Sequence, residues 1–308
     1  MIVRSRPSAA QLLYVLRGSV VPRIWPRILT IAFVSGVVVW LHRLFPAYFP
    51  DYSAAPFTLL GLALSIFLGF RNNACFDRWW EARRQWGQLI VELRSFGRAV
   101  AALMPGTDPE TAALRRRMLR RGIAYPYALA ESLRAVAHDA ELDRYLDAAE
   151  SRRVGASRSR PDALLRAMAE DLATALRAQR FGEVIYQGLA NHLTAISGIQ
   201  AACERIRHTP LPFAYTLLLH RTAYLFCLLL PFGLVDNLGL ATPLVAAIVA
   251  YTFFGLDELG DELEEPFGLA ENDLPLKAMA RLIEISLLET LGETELPAPL
   301  LPEKYVLH

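Results

Sequence analysis

A long apolar run passes without interruption into a tryptophan- and arginine-rich one, and this junction constrains the fold more than any other feature. Residues 54–70 read Ala-Ala-Pro-Phe-Thr-Leu-Leu-Gly-Leu-Ala-Leu-Ser-Ile-Phe-Leu-Gly-Phe, and residues 71–86 continue Arg-Asn-Asn-Ala-Cys-Phe-Asp-Arg-Trp-Trp-Glu-Ala-Arg-Arg-Gln-Trp. A lipid-soluble helix is thereby fused end to end with an amphipathic one. At helical spacing Leu62, Ile66 and Phe70 fall on one stripe, and Gly61, Ser65 and Gly69 form a small-residue stripe about 100° away. Small residues let a neighbouring backbone approach closely. A bulky stripe beside a small one serves either plain packing or a hydrophobic constriction built from symmetry-related copies of the helix. Periodicity alone does not separate these readings.

Composition places the chain in a membrane. Hydrophobic residues make up 54% of its 308 positions, and mean hydropathy is +0.27. Four stretches, about 28–46, 54–70, 215–235 and 238–256, approach the ~20 residues that a bilayer core demands. Arg4, Arg6, Arg17, Arg23 and Arg27 precede the first span with no acid among residues 1–27, and the connection at 47–53 has no Arg or Lys. The positive-inside rule therefore puts the N-terminus and residues 71–212 in the cytoplasm. Four spans return the C-terminus to the same side, with a short external turn around Val235-Asp236-Asn237. The arginine-studded lead before Leu29 does not read as a cleaved signal peptide.

The formal net charge of +1 conceals an asymmetry: Leu256–His308 holds thirteen carboxylates against Lys277, Arg281 and Lys304. Between Phe70 and Pro210 the pattern is helical, with Pro105-Gly106, Pro126 and Ser157–Pro161 as breaks or kinks and Gly155–Pro161 as a flexible link. Leu114–Ala137 and Asp162–Gln179 show apolar positions near helical spacing. The expected fold class is an all-α membrane protein, with four spanning helices continuous with a cytoplasmic helical bundle (about 71–212 and 257–308), read as a single domain over 1–308. Trp79, Trp80 and Trp86 suit an interfacial anchor, and Arg78 lies at pairing distance from Glu81.

Catalytic signatures are missing: the sequence has no phosphate loop, no Gly-x-Gly-x-x-Gly, no His-Glu-x-x-His and no Gly-x-Ser-x-Gly elbow. Cys75, Cys203 and Cys227 stand apart, so neither a disulfide framework nor a thiolate metal site is expected. No cofactor, metal or nucleic-acid partner is anticipated. Two ionisable clusters stand out. His220-Arg221 begins an apolar segment, where an ionisable group is either functional or snorkels to the interface. Asp257, Glu258, Asp261 and Glu262 follow the fourth span at a spacing unlike an EF-hand loop. They are either a solvated face or a cation-attracting lining.

Three blocks in this order resemble the bestrophin family in its bacterial branch. They are Phe67-Leu-Gly-Phe-Arg-Asn-Asn-Ala-Cys-Phe-Asp-Arg-Trp-Trp-Glu-Ala-Arg, Thr209-Pro-Leu-Pro-Phe-Ala-Tyr-Thr-Leu-Leu-Leu-His-Arg-Thr, and Glu262-Leu-Glu-Glu-Pro-Phe-Gly with Asn272-Asp-Leu-Pro-Leu. The resemblance implies a bestrophin-like homopentamer in a cell inner membrane, in contact with lipid, with both termini cytoplasmic. It implies conduction of monovalent ions, cations such as sodium being expected. The family's pore neck, three bulky residues one turn apart that end eight residues before the Arg of the Arg-Trp-Trp block, maps onto Leu62, Ile66 and Phe70. Its cytoplasmic aperture maps onto Val184, with Phe181 and Ile185 as alternatives. The calcium clasp of animal members is only partly matched, since one expected acid falls on Ala270 and only Asp273 is in register. An anion channel for chloride or bicarbonate and a non-conducting membrane scaffold are the alternatives.

Overall fold

The computed structural model describes residues 1–4, 8–48, 53, 55–104, 108–136 and 140–308. Pro105-Gly106, Arg6 and most of the 47–53 connection lie outside the described residues. Eleven α-helices account for most of the rest: α1 (Ala9–Tyr14), α2 (Val21–Leu44), α3 (Ala55–Leu103), α4 (Pro109–Arg134), α5 (Ala140–Asp143), α6 (Ala148–Gly155), α7 (Arg160–Arg177), α8 (Glu183–His208), α9 (Phe213–Leu238), α10 (Thr242–Glu264) and α11 (Leu276–Leu291). Among the described residues β-pairing is limited to isolated bridges at Ile2–Val306 and Glu303–Val306. The chain divides into two compact units, one of Arg4–Trp79 with Pro210–Pro266, the other of Met1–Val3, Trp80–Thr209 and Phe267–His308.

The first unit is apolar. Three helical stretches are long and apolar enough to cross a membrane: Val21–Leu44, Ala55–Leu103 and Phe213–Glu264. The third is divided by a 3-10 turn at Gly239–Ala241 into α9 and α10, which pack side by side, so four long helices build the core of the unit. Its core joins Ile24 and Ile31 of α2, Leu64 and Leu68 of α3, Phe226 and Cys227 of α9, and Ala250 and Phe254 of α10. At Gly61 the small stripe of α3 does admit a neighbour, because a Cβ there would stand 3.0 Å from the Phe226 ring. Gly69 meets nothing within 4 Å.

Several helices run past the expected span limits, for one physical reason. Hydropathy ends a span at the first charges, but here those charges are paired and the helix continues through them. Thus α2 begins at Val21 rather than near 28, taking in Arg23 and Arg27, and α10 runs on to Glu264 rather than ending near 256. Likewise α9 passes Asp236, whose Oδ1 lies 2.8 Å from His42 Nε2, and the turn falls at Gly239–Ala241 instead of 235–237. Gly239 takes φ +49°, a left-handed conformation that glycine adopts without steric cost. Helix α3 does not stop with its apolar part at Phe70 but continues to Leu103, as the unbroken junction with residues 71–86 foretold.

The second unit is a helical bundle centred on α4, which packs against α5, α7, α8 and α11. Pro126 sits inside α4 without breaking it. Leu287 of α11 reaches both Gly97 of α3 and Gly122 of α4, where any side chain would meet it. Trp86 is fully buried in this core rather than placed as an interfacial anchor. Two polar clusters lie inside. Arg121 binds Glu150 at 2.5 Å, Asp171 at 2.8 Å and the Ala167 carbonyl at 3.0 Å. Glu284, 1% exposed, accepts hydrogen bonds from the Tyr127 and Tyr145 hydroxyls and lies 2.9 Å from Arg281 Nε. Burial and the facing carboxylate hold both tyrosines above their ordinary pKa. Burial also pushes the Cys203 thiol up to about 12, which leaves it inert as a thiolate.

Candidate functional site

The apolar part of α3 carries two opposite stripes. Leu64, Leu68, Arg71 and Cys75 follow one another at helical spacing and are all buried. On the other side Leu62, Ile66 and Phe70 are exposed by 58%, 49% and 62%. Large apolar side chains exposed in a row, one turn apart, form a surface that a single chain leaves unfilled. The structure thus brings the three expected neck residues onto one free face. Val184, the expected aperture residue, is the second residue of α8 and is 87% exposed, whereas Phe181 is buried and Ile185 is half-buried.

The buried stripe holds the residue that sequence reasoning missed. Arg71 is 0% exposed and its guanidinium gathers the C-terminal end of α10. Nη1 donates to the Asp257 carboxylate at 3.0 Å and to the Asp257 carbonyl at 3.1 Å, while Nη2 binds Asp261. Glu264 Oε2 lies 3.6 Å from Nη2. The second Asp257 oxygen is 2.6 Å from His220 Nδ1, and the His220 ring leans on Tyr224. His220 is therefore tied into a polar cluster, and its neighbour Arg221 is exposed. A buried carboxylate requires such compensation, because an unpaired charge in an apolar surrounding costs several kcal/mol.

The remaining acids of the cluster are held from α2. Arg23 Nη1 stands 2.7 Å from Glu262 and Arg27 Nη1 3.2 Å from Glu258. All four acids expected to attract cations are thus engaged by arginines of this unit, with only the Asp261 side chain half-exposed. Arg78 does not pair with Glu81 as its spacing suggested. Its Nε donates to the Glu264 carbonyl at 2.7 Å, and Glu81 pairs with Arg205 at 2.6 Å in the other unit. Gly260 makes room for the crossing: a Cβ there would stand 2.9 Å from Arg71 Nη1 and 2.8 Å from Asn72 Oδ1. A signal for Arg71 was present in the sequence, since it continues the Leu64–Leu68 stripe by three residues and directly follows the apolar run that ends at Phe70.

Comparison with known proteins gives a consistent set of likenesses. The profile of the family described as Bacterial/Fungal Bestrophin protein matches residues 1–289. A voltage-dependent anion channel-forming protein of Mesorhizobium japonicum is 46% identical over 99% of this chain and 96% of its own. The voltage-dependent anion channel-forming protein YneE of Escherichia coli K12 is 41% identical over 99% of each chain. The crystal structure of a bacterial bestrophin homologue from Klebsiella pneumoniae superposes with a TM-score of 0.84 at 36% identity, covering 88% of this chain and 100% of that one.

Proposed function

The chain belongs to the bacterial and fungal bestrophin family, and on that premise we propose that five copies assemble into a channel for monovalent ions whose barrier is a hydrophobic neck. It is a membrane ion-channel protein rather than an enzyme. The observation that carries the neck is the exposed stripe of Leu62, Ile66 and Phe70, which lies opposite the buried stripe of the same helix. Eight residues of helix give a neck about 12 Å long. Five such stripes facing one another would dewet and close the path until widened. The exposure of Val184 supports its place as a second, cytoplasmic constriction. The inner membrane and a cytoplasmic side for both termini complete the reading, supported by the arginines of residues 1–27.

The neck is uncharged and does not choose the sign of the ion. Anions are favoured by the names that the relatives bear, and by the arginine pairing of Asp257, Glu258, Asp261 and Glu262, which removes free negative charge from that region. A sodium-like cation is the second reading, and it keeps one observation: Asp77 is an exposed carboxylate of α3 with no pairing among the described residues. In planar bilayers Ile66→Ala is expected to raise single-channel conductance several-fold, and an unchanged conductance would remove the neck assignment. Reversal potentials under a sodium chloride gradient separate the two signs.

A further inference from the structure

We propose that Asp77 lines the conduction path just cytoplasmic of the neck and sets the balance between cation and anion passage, an inference that rests on the channel reading above. Helix α3 is continuous from Ala55 to Leu103. At 100° per residue, Leu62, Ile66 and Phe70 cover a sector of about 80°, and both Asn73 and Asp77 fall inside that sector. The same helix turns its opposite side, through Arg71 and Cys75, into the core. Asn73 and Asp77 are exposed like the three apolar residues before them. Along one face the chain therefore steps from apolar to amide to carboxylate, and Asp77 lies about 10 Å beyond Phe70.

Charge bookkeeping distinguishes Asp77 from every other acid near it. Of the three carboxylates on α3, Glu81 is bound by Arg205 and Glu92 faces His192. Asp77 has no hydrogen bond or ion pair among the described residues. Of the arginines on its own helix, Arg71 is turned to Asp257 and Asp261 and Arg78 to the Glu264 carbonyl, while Arg84, seven residues on in the same sector, is exposed. Five unpaired carboxylates at the exit of a narrow low-dielectric neck raise the local cation concentration and lower that of anions, with Arg84 further along the helix acting in the opposite sense. The effect acts over a Debye length of about 8–10 Å and weakens in concentrated salt.

The test is the cation-to-anion permeability ratio of the purified, bilayer-reconstituted full chain under a sodium chloride gradient. Asp77→Asn is expected to lower that ratio by about threefold or more, and Asp77→Glu to retain it. Because Cys75, Cys203 and Cys227 are buried, Asp77→Cys gives a uniquely addressable thiol. Labelling it with a sulfonate-bearing methanethiosulfonate should return the ratio toward that of the parent protein, and a trimethylammonium reagent should lower it further. If Asp77→Asn leaves the ratio unchanged while Ile66→Ala still alters conductance, the assignment of Asp77 falls and the channel reading stands. Silent bilayers for the parent protein and all variants overturn both.

Discussion

Replacing Arg71 with alanine is expected to destabilise the protein by about 3–5 kcal/mol, the cost of leaving a buried carboxylate without its partner. Asp257 is 1% exposed, and without Arg71 its remaining contact is His220, one imidazole against a carboxylate that was held from both sides. The measurement is thermal unfolding in detergent, read together with the fraction of assembled particles. Arg71→Lys should recover only part of the loss, since a lysine is a single point charge and cannot reach Asp257 and Asp261 with separate nitrogens. The double variant Arg71→Met/Asp257→Leu should be more stable than Arg71→Ala, because it removes the orphaned charge rather than exposing it. A melting temperature for Arg71→Ala equal to that of the parent protein would refute the assignment of Arg71 as anchor.

Glu284→Ala should produce a loss of similar size in the helical bundle. Two tyrosine hydroxyls lose their acceptor and Arg281, itself nearly buried, loses its nearest carboxylate. Glu284→Gln keeps an acceptor oxygen and should cost clearly less. The tyrosines add a pH signature. Their folded pKa values are raised, so the stability they contribute is fully present below the ordinary tyrosine pKa of about 10 and is lost as pH climbs toward the folded value. Urea or thermal titration of the parent protein should therefore show an alkaline decline starting near pH 10, and Glu284→Ala should flatten it. A decline identical in both proteins would count against this network.

Much of the exposed stripe of α3 was legible because it depends on local repetition alone. Spacing puts Leu62, Ile66 and Phe70 on one stripe, while their reading as a neck came from the family resemblance, and the uninterrupted junction at Phe70 foretold one helix. What escaped was the pairing of distant charges. Arg78 was matched with Glu81 because both lie on one helix, whereas the structure directs Arg78 to the Glu264 carbonyl. The acids after the fourth span looked like a free electrostatic zone, since nothing local announces that Arg23, Arg27 and Arg71 reach them from residues far away in sequence. The same blindness ended the expected helices early at α2 and α10, because a hydropathy scan counts a paired charge as though it faced water. Trp86 illustrates the converse error: its residue type suits an interface, but its register places it in a core.

The pairing of α2 with α10 also bears on how the chain is made. Arg27 and Glu258 are 231 residues apart, so at ordinary synthesis rates the acid follows the arginine by some tens of seconds. On the proposed topology, Arg23 and Arg27 would remain uncompensated beside the first emerging span during that interval and would act as its orientation signal under the positive-inside rule. Arrival of α10 would then extinguish the signal, since its Glu262 and Glu258 pair with both arginines. One pair of arginines would thus serve twice in succession, first as an address during insertion and afterwards as a lock between α2 and α10.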